Sequence, residues 1–469
     1  MKTYKTYILI SLLLIISCAP NTNNKKNESD FQFEVKILDK NLNEPMEFDI
    51  FDNDEIIFIE RSGYIKLYDP KIEKTKIITK FDVEMSSDTT NDKTPLEDGL
   101  LGIAIDPNYD LNNWIYLFYS PRGNIPKQHV SRFVFKNHRL DKKSEKILLE
   151  IPLQRDQCCH SAGSLEFGPN GNLFISVGDN TNPFDSDGFS PSDESKNRTA
   201  WDAQRSSSNT NNLTGKILRI KPEDDGTYSI PDGNLFEVGT PNTKPEIYVM
   251  GNRNPFRISI DKKTNYLYWG EVGPDSHENS NERGPRGYDE INQAKKPGYF
   301  GWPLFVADNK AYNDYSFEDK TSGPKFNSLD VINNSINNTG LKKLPNAQPA
   351  FIWYPYAESD EFPQVLSGPR NAMAGPVFYY EQENFSEKSI PKYYDGKLFI
   401  YDFEREWVFT VTMDESGDFV NMERFMENLD LNHPIDMLIS KKGELYILEY
   451  GTTWYTQNKD AQIIKITKK

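Results

Sequence analysis

The chain has 469 residues and a formal net charge of −16, with 54 Lys and Arg against 70 Asp and Glu. An acidic chain with no basic cluster lacks the surface needed to neutralise phosphates, which excludes nucleic acid as a partner. Its length would suggest two or three domains, unless an internal repeat overrides that expectation.

The N-terminus sets the expected compartment. Lys2 and Lys5 precede an apolar run over residues 7–16 that is too short to span a bilayer and reads as a signal-peptide core. Ile15, Ile16 and Ser17 before Cys18 form a lipobox, so residues 1–17 are expected to be a lipoprotein signal peptide and Cys18 the lipidation site. A plain secretory signal containing a cysteine is the alternative. Residues 18–32 are polar and featureless, as expected of a lipidated tether. The expected product is an exported bacterial lipoprotein facing periplasm or cell surface and meeting the membrane through its lipid alone.

From residue 33 to 469 one pattern recurs: an alternating apolar strand, a polar turn, then a second strand rich in Leu, Tyr, Phe and Ile. It occupies 47–59, 100–119, 164–178, 256–270, 390–401 and 435–449. Two-residue alternation around turn residues is the signature of a hairpin. Further strands are expected at 64–68, 216–220, 407–412 and 462–467. Repeats of about four strands recurring six times predict an all-β, six-bladed β-propeller forming one domain. A β-sandwich or several small β-domains would be the alternative. Long insertions at 83–97, 182–212, 277–287 and 307–365 are expected to gather on one face and build the site.

Chemistry concentrates at the entries to these repeats. His160 follows the vicinal pair Cys158-Cys159 and stands among small residues directly before the third repeat; an imidazole there can act as a base near neutral pH. Arg253, in the run Gly251-Asn252-Arg253-Asn254-Pro255, holds the corresponding place in the fourth repeat and supplies a permanent cation for a developing oxyanion. A structural histidine and a surface ion pair are the plainer readings of these two. Residues 270–275 (GEVGPD) and Tyr288-Asp289-Glu290-Ile291-Asn292 form an oxygen-only set that suits Ca²⁺, or a turn and a solvated acidic loop equally well. Cys158 and Cys159 form either a vicinal disulfide or two reduced thiols. Trp201 and the run Trp353-Tyr354-Pro355-Tyr356 either stack on a sugar or pack an insertion against the propeller.

Residues 99–102 (GLLG), 160–165 (HSAGSL), 167–169 (FGP), 178–180 (GDN), 251–255 (GNRNP), Gly273-Pro274, 289–292 (DEIN) and 301–303 (GWP) occur in the order seen in the glucose/sorbosone dehydrogenase family. The chain resembles the soluble, six-bladed, pyrroloquinoline quinone (PQQ)-dependent branch of that family over nearly its whole mature length. The resemblance implies oxidation of an aldose-type sugar, with hydride transfer from C1 to PQQ and onward transfer to an external electron acceptor. It implies that His160 is the general base, that Arg253 stabilises charge on the quinone, and that Asp179 orients the site. It further implies that Asn254 contacts the cofactor, that the Gly273 and Pro274 carbonyls bind Ca²⁺, and that Glu290 ligates a second, structural calcium.

The sequence departs from the family where cations should meet the carboxylates of the quinone. A pair of arginines is replaced by His433-Pro434-Ile435-Asp436, and a lysine position falls in Phe403-Glu404-Arg405-Glu406, leaving Arg405 as the nearest cation, with Arg370, His433 or basic residues of the long insertions as further candidates to compensate. A cofactor-contacting glutamine is Glu97, and Cys158 and Cys159 offer a possible platform for the quinone. The competing functions are a cofactor-free propeller binding carbohydrate or protein, and a calcium-dependent propeller hydrolase.

Overall fold

A computed structural model describes residues 31–85, 97–383 and 385–469. The expected signal peptide, Cys18 and most of the tether lie outside the described residues.

Six antiparallel blades follow one another along the chain. The first comprises Pro45–Ile50, Ile56–Glu60, Tyr64–Asp69 and Lys74–Lys80; the second Leu100–Ile105, Trp114–Tyr119, Lys127–Lys136 and Arg139–Pro152. The third comprises Ala162–Phe167, Leu173–Val177, Lys216–Pro222 and Ile247–Met250, extended by Tyr228–Ser229 and Gly298–Tyr299. The fourth comprises Pro255–Ile260, Leu267–Glu271, Asp289–Ala294 and Ile352–Tyr354; the fifth Ala372–Val377, Leu398–Asp402, Trp407–Met413 and Phe419–Arg424. The sixth, Pro434–Ile439, Leu445–Glu449 and Gln462–Lys468, takes its outer strand from the start of the described chain, Phe33–Lys40. That pairing closes the ring. The first strand of each blade contacts the first strands of both neighbours, the sixth meeting the first, so the six-bladed propeller is the architecture observed.

One repeat is displaced from its expected place. Residues 390–394 do not begin the fifth hairpin: the inner strand is Ala372–Val377, and 392–394 form a 3₁₀ turn. The true strand reads Ala-Met-Ala-Gly-Pro-Val, with small residues and a proline in place of alternating β-branched ones, so its local signal is weak.

Inner strands present an unpaired edge to the axis, and buried N–H groups there need acceptors. Carboxylates supply them across blade boundaries. Glu47 accepts from the Ile103 N–H at 2.7 Å, Asp436 from that of Phe48 at 3.0 Å, and Asp289 from that of Ala372 at 2.9 Å. Burial pushes the Glu47 carboxyl well up, while Arg257 beside it pulls the other way.

The strand directions determine where the site lies. The link entering each blade and the link between its second and third strands lie at the same end of the propeller. Long excursions from the third and fourth blades meet there. The Ser276 N–H bonds the Gly188 carbonyl, that of Asn313 bonds Arg283, and the Ser335 hydroxyl bonds Asp202 at 2.6 Å. The insertion after Asp289–Ala294 leaves from the opposite end, yet it returns far enough for the Ala307 N–H to bond the Glu290 carboxylate. No helix among the described residues is long and apolar enough to cross a membrane.

Candidate active site

A cavity of about 420 Å³ opens at this end of the axis. Its walls come from the two kinds of link, and its floor from the first residues of the inner strands, Met46, Leu101, Ala162, Phe256, Met373 and Ile435. The entries to inner strands contribute Glu97, Cys159, His160, Ser161, Arg253, Asn254 and Asn371, and the second-to-third links contribute Arg61, Val272, Asp275, Phe403 and Trp454. The geometry thus brings together His160, Arg253, Asn254, Glu97 and Cys159 from among the residues singled out in the sequence.

His160 is 5% exposed and has a φ of 66°. Its Nδ1 lies 2.7 Å from Asp179 Oδ1. Asp179, fully buried, also accepts from the Thr181 N–H at 3.0 Å and from the Trp302 indole N–H at 2.9 Å. A carboxylate held by these donors accepts the Nδ1–H hydrogen bond of the imidazole and leaves Nε2 as the basic atom. Trp302 is a partner that the sequence leaves unassigned, although it stands within the Gly301-Trp302-Pro303 motif. Gly178 permits the close approach: a Cβ there would lie 2.1 Å from the His160 carbonyl oxygen.

Arg253 is held through its backbone. Its N–H and that of Asn254 both donate to Glu271, whose carboxyl burial and neighbouring Glu290 push well up. The Asp179 N–H bonds the Arg253 carbonyl at 2.8 Å, which fixes the arginine loop to the histidine's partner. The guanidinium reaches one carbonyl, Val272, at 3.2 Å. Among the described residues, Arg253 Nε, Asn254 Oδ1 and Asn371 Oδ1 are buried without a hydrogen-bond partner. Orphaned donors and acceptors around a cavity fit an oxygen-rich ligand.

Cys158 and Cys159 are joined by a vicinal disulfide across a cis peptide, and Cys159 lines the cavity. Of the two states left open by the sequence, this is the bonded one. The peptide containing both cysteines is expected to be two hydrogens lighter without reductant than after reduction; equal masses would refute the bond.

The opposite wall is aromatic. Phe403, Tyr450, Trp454 and Tyr455 line it with Ile435. His433 packs on Phe403 at 4.6 Å and bonds the Gly451 carbonyl at 3.0 Å. Arg405 is not on the wall. Its guanidinium donates to the carbonyls of Pro355, Val365, Leu366, Gly368 and Pro369 and holds that loop instead. Trp353 packs on Phe362 at 5.2 Å and Trp201 lies under Arg198 at 3.7 Å, so both serve packing and neither lines the cavity.

Tyr450 and the residues after it are positioned by Glu449, which is fully buried and accepts from the Asn432 N–H at 2.7 Å and Gln462 Nε2 at 2.5 Å. Burial raises its pKa to about 7. A carboxyl raised on folding contributes its full stability below its ordinary pKa and loses it as pH rises through the folded value. Wild-type stability should therefore fall by about 3 kcal/mol from this group between about pH 4.5 and 7. Glu449→Gln should flatten that slope in urea unfolding; a profile parallel to wild type would rule the group out.

Of the oxygens expected to hold calcium, the Pro274 carbonyl and the Glu290 carboxylate already have other partners. The Pro274 carbonyl accepts from Arg370 Nη2. Asp289 accepts from Arg370 Nη1, the Gly273 N–H at 2.9 Å and the Ala372 N–H. Glu290 accepts from the Ala307 N–H and from Asn292 Nδ2 at 3.0 Å. Among the described residues no group of three or more His, Cys, Asp or Glu is placed to hold a metal. A calcium ion, which needs about six to eight oxygens, does not fit at Gly273, Pro274 and Glu290.

The chain is a six-bladed propeller with its site at one end of the axis, and its backbone follows that of other propellers of this type. The PQQ-bound aldose sugar dehydrogenase of Streptomyces coelicolor superposes with a TM-score of 0.59 at 17% identity, over 93% of this chain and 99% of that one. Residues 42–348 match the Glucose / Sorbosone dehydrogenase family, and the chain belongs to that family. It is 27% identical to quinoprotein glucose dehydrogenase B of Acinetobacter calcoaceticus over 314 residues, 65% of this chain and 59% of that enzyme. It is also 28% identical to the human Hedgehog-interacting protein over 223 residues, 44% of this chain and 28% of that protein. The matches thus span only part of the length of these relatives.

Proposed function

We propose that this chain oxidises an aldose-type sugar at C1 with PQQ as its cofactor and passes the electrons to an external acceptor. The observation that carries this reading is His160, held from behind by the buried Asp179, lining the same cavity as Arg253, whose Nε is buried without a partner. The quinone, when bound, supplies the hydride acceptor. His160 Nε2 takes the proton of the anomeric hydroxyl, and Asp179 steadies the imidazolium that results. Arg253, Asn254 and Asn371 meet the polar edge of the cofactor. Arg61 adds a cation on the wall, although it is already paired with Glu44 at 2.8 Å.

The test is to titrate the purified protein with PQQ, follow quinone absorbance, and then measure dye reduction with a panel of aldoses. Saturable binding at micromolar PQQ with sugar-dependent dye reduction is expected; no saturable binding would sink the reading. The aromatic wall where family enzymes carry cations favours a second reading, a carbohydrate- or protein-binding propeller, which predicts ligand binding with no quinone uptake.

For location we propose export and lipid anchoring at Cys18. Cys18→Ala should release the protein from the membrane fraction; unchanged membrane association would refute the anchor.

A further inference from the structure

We propose that the guanidinium of Arg370 is this chain's built-in replacement for the calcium ion, so that the cavity holds its quinone-class ligand without a divalent metal. The identity of the ligand rests on the function proposed above; the replacement of the metal rests on the geometry alone.

Arg370 is the residue two before Ala372–Val377, the inner strand of the fifth blade, and its side chain is 1% exposed. One arm donates to the Asp289 carboxylate and the other to the Pro274 carbonyl, the oxygen that the family resemblance assigns to calcium. Its face lies over the Tyr356 ring at 4.0 Å. The backbone approaches closely at two glycines. A Cβ on Gly287 would lie 1.6 Å from the Pro274 carbonyl oxygen and 2.6 Å from Arg370 Nη2, and one on Gly273 would lie 1.7 Å from the Tyr288 carbonyl oxygen.

A divalent ion on the Pro274 oxygen would stand beside a guanidinium sharing that oxygen, in a buried setting where like charges repel strongly. The guanidinium takes the carbonyl oxygen that the resemblance assigns to the metal and carries a charge of the same sign. A guanidinium keeps its charge at neutral pH even where it is buried. Its field reaches Asp275 and Arg253, both on the cavity wall, so it strengthens the positive potential on the side that carries Asn371. Arg370 thereby acts as a positioning residue, through the wall and without touching substrate.

The experiment titrates chelator-treated wild type with PQQ by calorimetry, once in EDTA and once in millimolar CaCl₂. The expected result is the same Kd in both buffers within about twofold. A Kd tenfold or more tighter in CaCl₂ would overturn the proposal. Arg370→Gln should bind at least tenfold more weakly than wild type in EDTA, while Arg370→Lys, which keeps the charge, should recover part of the loss. Should either variant fail to fold, the two wild-type titrations still decide. If PQQ binds in neither buffer, the quinone reading fails, and the metal is then tested alone by titrating Ca²⁺ into wild type and Glu290→Gln. Absence of saturable Ca²⁺ binding to Glu290→Gln, which lacks the ligand of the other expected site, supports the replacement, and saturable binding to that variant overturns it.

Discussion

Replacing His160 with alanine is expected to lower the turnover of aldose oxidation by about 10²–10⁴-fold, with PQQ affinity changed by no more than a few-fold. The histidine's ring is held at Nδ1 by Asp179, which is itself fixed by Thr181 and Trp302. Losing the ring removes the proton acceptor while the surrounding donors keep their places. Because position 160 has a φ of 66°, alanine introduces backbone strain that asparagine tolerates better, so His160→Asn is the matching control. Both variants should lose turnover, and the asparagine form should melt closer to wild type. Equal loss of quinone binding and turnover in both would contradict a role as base.

Arg253→Gln is expected to reduce kcat by about 10²–10³-fold and to leave the melting temperature nearly unchanged. These two effects separate because the loop is held by main-chain N–H groups on Glu271, which the substitution does not touch. The side chain's bond to the chain is the Val272 carbonyl, a contribution of about 1 kcal/mol. Its buried, unpartnered Nε points to a task outside fold stability. A variant that loses several degrees of stability while keeping kcat would make Arg253 structural.

Much of this site is legible in the amino-acid sequence. His160, Arg253, Asn254, Glu97 and Cys159 are found on one wall because each precedes an inner strand, and inner strands announce themselves by alternation. The fifth blade is the exception, since its small-residue strand carries little periodic signal. Asp179 is placed by its motif, but Trp302, its indole partner, lies 123 residues away and reaches it only through the excursion after the third strand of blade four. The aromatic wall of Phe403, Tyr450 and Trp454 has no sequence signature, because it forms from links of different blades.

The two arginines of the fifth blade show where sequence reasoning stops. Arg405 is the cation that the motif order offers to the cofactor, yet it binds five carbonyls of the 355–369 loop. Arg370 stands in no motif and lies between Asp289 and Pro274, 81 and 96 residues away. By itself the sequence determined the number of blades, the place of five of the six repeats and the motifs at the blade entries, since all of these follow from local periodicity and order along the chain. Only the tertiary structure decided which cation meets which oxygen, because that choice depends on how distant loops pack and on which buried acceptor each guanidinium can reach.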